Sequence, residues 1–322
     1  MRLRLMAAVA ALALLAAACS GSGGSSGAPD KDDIVAEVGS FDLAVGPPSR
    51  LLIGVFSNDQ RFLAYGDVQV RFAYLGTKQE ATAAEYGSPA RARFLPVPGS
   101  QPPSPRPETP QFVAGNDGKG VYAVQAGFPK AGYYQAEVTA DVEGKSRTAT
   151  AAFAVNERHF VPVPGEPALP TENLTVASTD APRAAIDSRA GADGVIPDAS
   201  LHQTTIAATL AAQRPAVVVF STPAYCQSRF CGPITEMVEG LAPTYADRAT
   251  FIHVEIWRDF QNQVLNRAAA EWLLRENNLN EPWVFVIGSD GKVAARFDNV
   301  ATAEELKPIL DKLPVIGPAT NP

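Results

Sequence analysis

The sequence predicts two domains, an all-β unit followed by an α/β unit. Three observations carry this. Between about residues 32 and 157, apolar and polar residues alternate with the period of a half-buried strand. From about residue 200, continuous β-branched runs alternate with helical stretches, the pattern of strands buried on both faces. Between them, residues 158–199 are rich in Pro, Gly and Ala and poor in large apolar residues after Val163, which predicts a linker held down by few contacts.

In chain order, Arg2 and Arg4 precede an apolar run, Leu5 to Ala18, too short to span a bilayer comfortably. Residues 1–18 read as an export signal. The small residues Ala16-Ala17-Ala18 stand directly before Cys19, and Ser20 to Pro29 is a Gly/Ser-rich tether, so 19–31 is expected to be flexible. In the β unit, 51–56 is a short apolar strand, and Val68, Val70, Phe72 and Tyr74 share one face of the next. Val121 to Gln125, a strand around Tyr134–Val138 and a last one through Ala149–Val155 follow, with Glu143-Gly144-Lys145 as the final turn. Such a series predicts a sandwich. A Pro-rich insertion, 95–112, interrupts it. Its prolines exclude helix and central strand, so an extended solvated loop is expected.

The α/β unit, 200–315, begins with a helix over Thr204–Gln213. Ala216–Phe220 is a buried strand, and a loop with Cys226 and Cys231 leads into a helix from about Pro233. Thr250–Ile256 is the second strand and Gln263–Glu276 a helix burying Val264, Ala268, Trp272 and Leu273. Trp283–Ile287 and Val293–Phe297 are strands joined by a turn at Ser289-Asp290-Gly291-Lys292. Thr302 and Glu305 form a capping box for a last helix, with Pro308 inside it.

The formal charge of −7 and the absence of any Lys/Arg run after the N-terminus argue against nucleic acid as a partner. With 46% hydrophobic and 19% charged residues, a packed core is expected. The segment ending at Cys19 resembles a bacterial lipobox, with Ala16 where that pattern usually has Leu. The resemblance implies a lipid on Cys19 and a protein anchored to the cell membrane on its extracytoplasmic face. Of three cysteines, Cys226 and Cys231 then remain, in a compartment where disulfides persist. The leftover pair is either a structural bridge or a redox couple.

The order of elements from Ser200 to Leu313 resembles the thioredoxin fold. The residues that carry the likeness are Val217-Val218-Val219-Phe220 running into the cysteine loop, Cys231-Gly232-Pro233 opening a helix, and Glu281-Pro282-Trp283 before a buried strand. The resemblance implies a cis Pro282 lying against the cysteines, Cys226 as attacking thiol, Cys231 as resolving thiol, and thiol–disulfide exchange on exported proteins, with no cofactor and no resident metal. It also exposes departures. Four residues separate the cysteines rather than two, Tyr225 replaces a Trp, Ile234 stands at the usual second cysteine, and Val219 replaces the buried acid that accepts a proton. The stretch Gly132–Val138 resembles a strand of immunoglobulin-like modules, which implies an immunoglobulin-like β-sandwich for the first unit.

Alternatives stay open. The pair could staple a binding or scaffolding protein, or hold copper as in thioredoxin-like copper chaperones. Those have three residues between their cysteines and a distant His, whereas His253 here sits within a strand and reads as a core histidine. His159 and His202 read as solvent-facing. Arg229 either favours a thiolate or is simply solvated. Trp257, Trp272 and Trp283 read as core or rim, and no partner spacing can be read for Glu255 and Asp259.

Overall fold

A computed structural model describes residues 30–78, 84–226, 228 and 230–317. Cys19, the export signal and Arg229 lie outside the described residues.

The N-terminal region is antiparallel β: β1 (Ile34–Val38), β2 (Ser49–Ser57), β3 (Phe62–Ala64), β4 (Asp67–Gly76), β5 (Ala90–Pro96), β6 (Gln111–Val113), β7 (Gly120–Ala126), β8 (Gly132–Val142) and β9 (Lys145–Val155). The expected sandwich implied two separate sheets. Instead, the described strands lie on one hydrogen-bonded path, β6-β3-β2-β7-β5-β4-β8-β9, with β1 added against β2. A parallel bridge from Ala44 to Asn156 brings the start of the region beside its end, so the sheet curls over a single core. The alternation at 68–74 buries Val68 and Val70, half-buries Phe72 and Tyr74 and leaves Gln69 and Arg71 outside; Ala73, on the face of Gln69 and Arg71, is buried where it bridges Tyr86. In the β8–β9 hairpin, Val142 pairs with Lys145, and Glu143 (φ 54°) and Gly144 (φ 74°) turn the chain in the left-handed region.

One expectation fails at Pro96. It closes β5, a central strand between β7 and β4. The ladder tolerates it because it is the last residue, paired only with Gly120. The rest of the Pro-rich stretch is mostly exposed loop, ending in the edge strand β6.

The C-terminal α/β region contains α1 (Ile206–Ala211), β10 (Ala216–Ser221), α2 (Cys231–Tyr245), β11 (Thr250–Glu255), β12 (Trp257–Asp259), β13 (Val264–Leu265), α3 (Arg267–Leu273), β14 (Trp283–Ile287), β15 (Val293–Asp298) and α4 (Ala303–Leu310). Its main sheet runs β11-β10-β14-β15. β10 is parallel to β11 and antiparallel to β14. Every residue of β10 is buried, as its continuous apolar run requires. Val218 and Phe220 face α1 and α3, where Trp272 is fully enclosed. Val217 and Val219 face α2 and α4.

Thr302 caps α4 as expected, its hydroxyl accepting from the Glu305 amide at 3.2 Å. The helix expected over 263–276 is shorter. Gln263 has φ 54°, Val264 is exposed in the ribbon β12–β13, and Asn266 spends its side chain on the Ala185 and Glu255 carbonyls, so α3 starts only at Arg267.

Residues 158–199 are not the loosely held linker that their composition predicted. Gly165 and Glu166 bond to Val293 along the edge of β15. Val161 and Ala168 join the core under α3, the Thr171 hydroxyl accepts from the Trp272 indole at 3.0 Å, and Ile186, Asp187 and Asp198 are buried. Backbone polar groups and carboxylates, rather than large apolar side chains, tie this segment down.

The two regions also meet. Arg50 on β2 donates to Glu305 at 2.7 and 3.0 Å and to the Val300 carbonyl at 2.7 Å. The Asp42 carboxylate, fully enclosed, accepts from Arg296 at 2.7 Å. Leu52, Leu95, Val97 and Val121 pack on Val300.

Candidate functional site

β10 carries the chain to Ser221 in the centre of the sheet, and the following loop returns it to the first residue of α2, Cys231. Cys226 and Cys231 form a disulfide, with Cα atoms 6.0 Å apart. The two sulfurs live in different surroundings. Cys231 is fully buried; Cys226 is partly exposed. The Cys231 amide, one of the unpaired donors of the helix start, points at the Cys226 sulfur at 3.4 Å, and the Ser228 hydroxyl lies 3.2 Å from the same sulfur. These contacts favour negative charge on Cys226 over Cys231.

Pro282 is buried at the start of β14, and the Glu281–Pro282 peptide is cis. Glu281 was not singled out from the sequence. One of its carboxylate oxygens lies within 4.8 Å of both sulfurs. Burial, with the charge of Glu255 nearby, pushes its carboxyl up to about 7. Val219 does lack an acid and sits in the apolar layer under α2. The carboxylate beside the sulfurs instead comes from the loop before β14, and a Glu directly preceding the Pro was the one sequence sign of it.

Aromatic rings extend from Cys226 along the chain. Tyr225 stacks on Phe260 with centroids 4.0 Å apart, and Trp257 meets Phe260 edge-on at 5.5 Å. Phe260 remains 37% exposed. On another flank, Val97–Ser100 and Lys119 of the β region line a cleft with Phe230 and Pro233 of the cysteine helix.

Behind the disulfide runs a line of polar contacts. The Cys231 carbonyl accepts from the Thr235 hydroxyl (2.8 Å), which meets the Ser221 hydroxyl (2.7 Å), which meets Nε2 of His253 (3.0 Å). Nδ1 of His253 faces Asp198 and Asp187 at 3.3 and 3.5 Å. Burial would lower the His253 ring, but the two carboxylates outweigh it and raise it to about 10. Burial also opposes ionisation of Asp187, yet His202, His253 and Arg189 hold it well below the usual carboxylate range.

His253 is thus a core histidine, as expected, and its ring nitrogens are turned to Ser221 and the carboxylates. His202 is not solvent-facing: it is fully buried, 3.0 Å from Asp198. His159 is half-buried between Asp42 and Arg296, at 3.2 and 2.9 Å. In both cases a distant charged partner, invisible in the local sequence, draws the ring inward. Asp187 and Asp198 gave no sequence sign, since they lie in the stretch that reads as a linker.

No protein-family model matches this sequence, and no curated protein or solved structure matches it. The chemistry of the site therefore rests on its own residues.

Proposed function

We propose that this protein carries out thiol–disulfide exchange on exported proteins through Cys226 and Cys231, on a thioredoxin-like C-terminal region beside an antiparallel β region. In this reading a lipid on Cys19 anchors it to the extracytoplasmic face of the cell membrane. The observation that carries the reading is the asymmetry of the disulfide: a partly exposed Cys226 sulfur receiving the first amide of α2, bridged to an enclosed Cys231. The sheet order β11-β10-β14-β15 and the cysteine at a helix start support the thioredoxin-like reading.

Starting from the disulfide, a substrate thiolate attacks the Cys226 sulfur. The S–S bond breaks, a mixed disulfide forms and Cys231 leaves as thiolate. Glu281, close enough to serve both sulfurs, gives its proton to Cys231. A second substrate thiolate then attacks the mixed disulfide. Cys226 is released, the substrate is oxidised by two electrons, and the pair is reduced. In the reverse direction Glu281 takes the proton from Cys231 before it resolves. The ledge of Tyr225, Phe260 and Trp257 offers apolar area for an extended peptide.

The test is trapping. Cys231→Ser leaves Cys226 without its resolving thiol, so cells carrying it should accumulate mixed disulfides on non-reducing gels, while Cys226→Ser should not. A redox titration should place the pair between about −120 and −270 mV. No captured partner together with a potential below about −300 mV assigns the bridge to a structural staple in a scaffolding protein.

A further inference from the structure

Asp187, Asp198, His202 and His253 converge from three places in the chain. Asp187 and Asp198 belong to the segment packed beneath the sheet, His202 ends a short 3-10 turn (Ala199–His202), and His253 lies on β11. All four are sealed from solvent, none more than 1% exposed. One donor atom from each lies within 4.8 Å of the others. We propose that these four side chains form a zinc site that fastens residues 187–202 to the α/β sheet, independent of the cysteine chemistry.

The spacing of the donors is the first argument. His253 Nδ1 lies 3.3 Å from Oδ2 of Asp198 and 3.5 Å from Oδ2 of Asp187; His202 Nε2 lies 3.8 Å from that Asp187 oxygen and 3.0 Å, at hydrogen-bond distance, from Oδ1 of Asp198. Tetrahedral zinc with bonds of about 2.0–2.1 Å holds its donors about 3.3 Å apart. A charged N–H donating straight to a carboxylate settles nearer, at about 2.7–2.9 Å.

The second argument is orientation. Among the described residues Nδ1 of His253 has no partner in hydrogen-bond geometry, although it is enclosed and faces Oδ2 of Asp198, which is ion-paired with Arg189 at 2.8 Å. Buried polar atoms seldom go unpaired. A cation between this nitrogen and the two carboxylates gives it a partner.

The outer contacts fit as well. Arg189 places one nitrogen 2.7 Å from Oδ2 of Asp187 and 2.8 Å from Oδ2 of Asp198, the same oxygens that face His253. The Ser221 hydroxyl meets the remaining nitrogen of His253, fixing its ring. Metal-bound carboxylates and imidazoles are normally held in this way by a second layer of hydrogen bonds. Two imidazole nitrogens and two carboxylate oxygens in a closed arrangement suit zinc better than magnesium or calcium, which take more oxygens. Charge alone does not choose between zinc and a proton on His253, because Arg189 already offsets one carboxylate. The unpartnered His253 nitrogen and its 3.3 and 3.5 Å spacings to the carboxylates make the choice.

The test uses the full chain, purified without chelators, incubated with zinc and desalted. Mass spectrometry should find one zinc per chain, and cobalt in its place should give the visible bands of four-coordinate Co(II). The double variant Cys226→Ser/Cys231→Ser should keep the metal. Asp198→Asn and His202→Gln should each weaken zinc at least about 100-fold in competition with a chelating dye. If those variants do not fold, wild type still decides: its melting temperature should rise with zinc and fall with chelator. Wild type that emerges free of zinc, with a melting temperature indifferent to both, overturns the proposal and leaves an ionic cluster with a protonated His253. Zinc that survives Asp198→Asn and His202→Gln but leaves the cysteine variant overturns it too, and moves the metal to the sulfurs while leaving the exchange reading to its own test.

Discussion

Replacing Glu281 by Gln should change stability and exchange rate with a common dependence on pH. In the folded protein the Glu281 carboxyl titrates at about 7, against 4.5 when free, because it is buried and Glu255 faces it. The folded state therefore holds this proton more tightly than the unfolded chain. Below pH 4.5 both states are protonated and Glu281 costs nothing. Between 4.5 and 7 the unfolded chain ionises first, so stability falls as pH rises, and above 7 the whole cost is present. The difference corresponds to about 2–3 kcal/mol, the lower value allowing for solvent at its partly exposed edge. Glu281→Gln removes the ionisable group. It should match wild type near pH 4 and exceed it by about 2–3 kcal/mol at pH 8, a gain of about 4–12 °C in melting temperature. Denaturant melts across that range measure the first effect. Alkylation-quenched exchange with a small dithiol measures the second, and the inflection of the wild-type rate near pH 7 should vanish in the variant. Parallel stability profiles for the two proteins would falsify the burial argument; an unchanged rate profile would remove Glu281 from the proton transfer.

Arg50→Ala strips the bidentate contact to Glu305 and the bond to the Val300 carbonyl; calorimetry should show a loss of about 3 kcal/mol, and a double-mutant cycle with Glu305→Ala should return a coupling above about 1 kcal/mol. Trp272→Ala empties the centre of the layer under β10 and strands the Thr171 hydroxyl, at a cost of about 3–5 kcal/mol in urea melts. Limited proteolysis should nick the exposed bend at 191–195, where Val195 is 61% exposed, and spare 160–190; early cleavage around Val161–Thr171 would contradict the packing. Metabolic labelling with a fatty-acid probe should mark wild type and not Cys19→Ala.

Elements defined by short-range pattern were legible in the sequence. The fully apolar β10, the alternating β8 and β9 with their Glu143-Gly144 turn, and the Thr302 cap each follow from residues within one or two turns of each other. β5 was missed because its inward positions include the small Ala90 and Ala92 and its outward ones are arginines, so the apolar period is faint. Cys226 and Cys231 announced themselves by residue type. Glu281 and the Asp187–His253 cluster did not, because a carboxylate far along the chain acquires meaning only when folding brings it to a sulfur or a ring nitrogen.

The packing of residues 158–199 bears on how such a chain is inherited in pieces. A recombination that cut near residue 200 would carry the cysteine helix and all four strands of the main sheet into a new gene. It would leave behind Asp187 and Asp198, the partners of His253, and the Thr171 that receives the Trp272 indole. The recipient would inherit a buried imidazole facing empty space and an indole with no acceptor. The heritable unit therefore begins some fifty residues before its first helix, near the end of β9, and descendants of this architecture should be found to have exchanged that whole length.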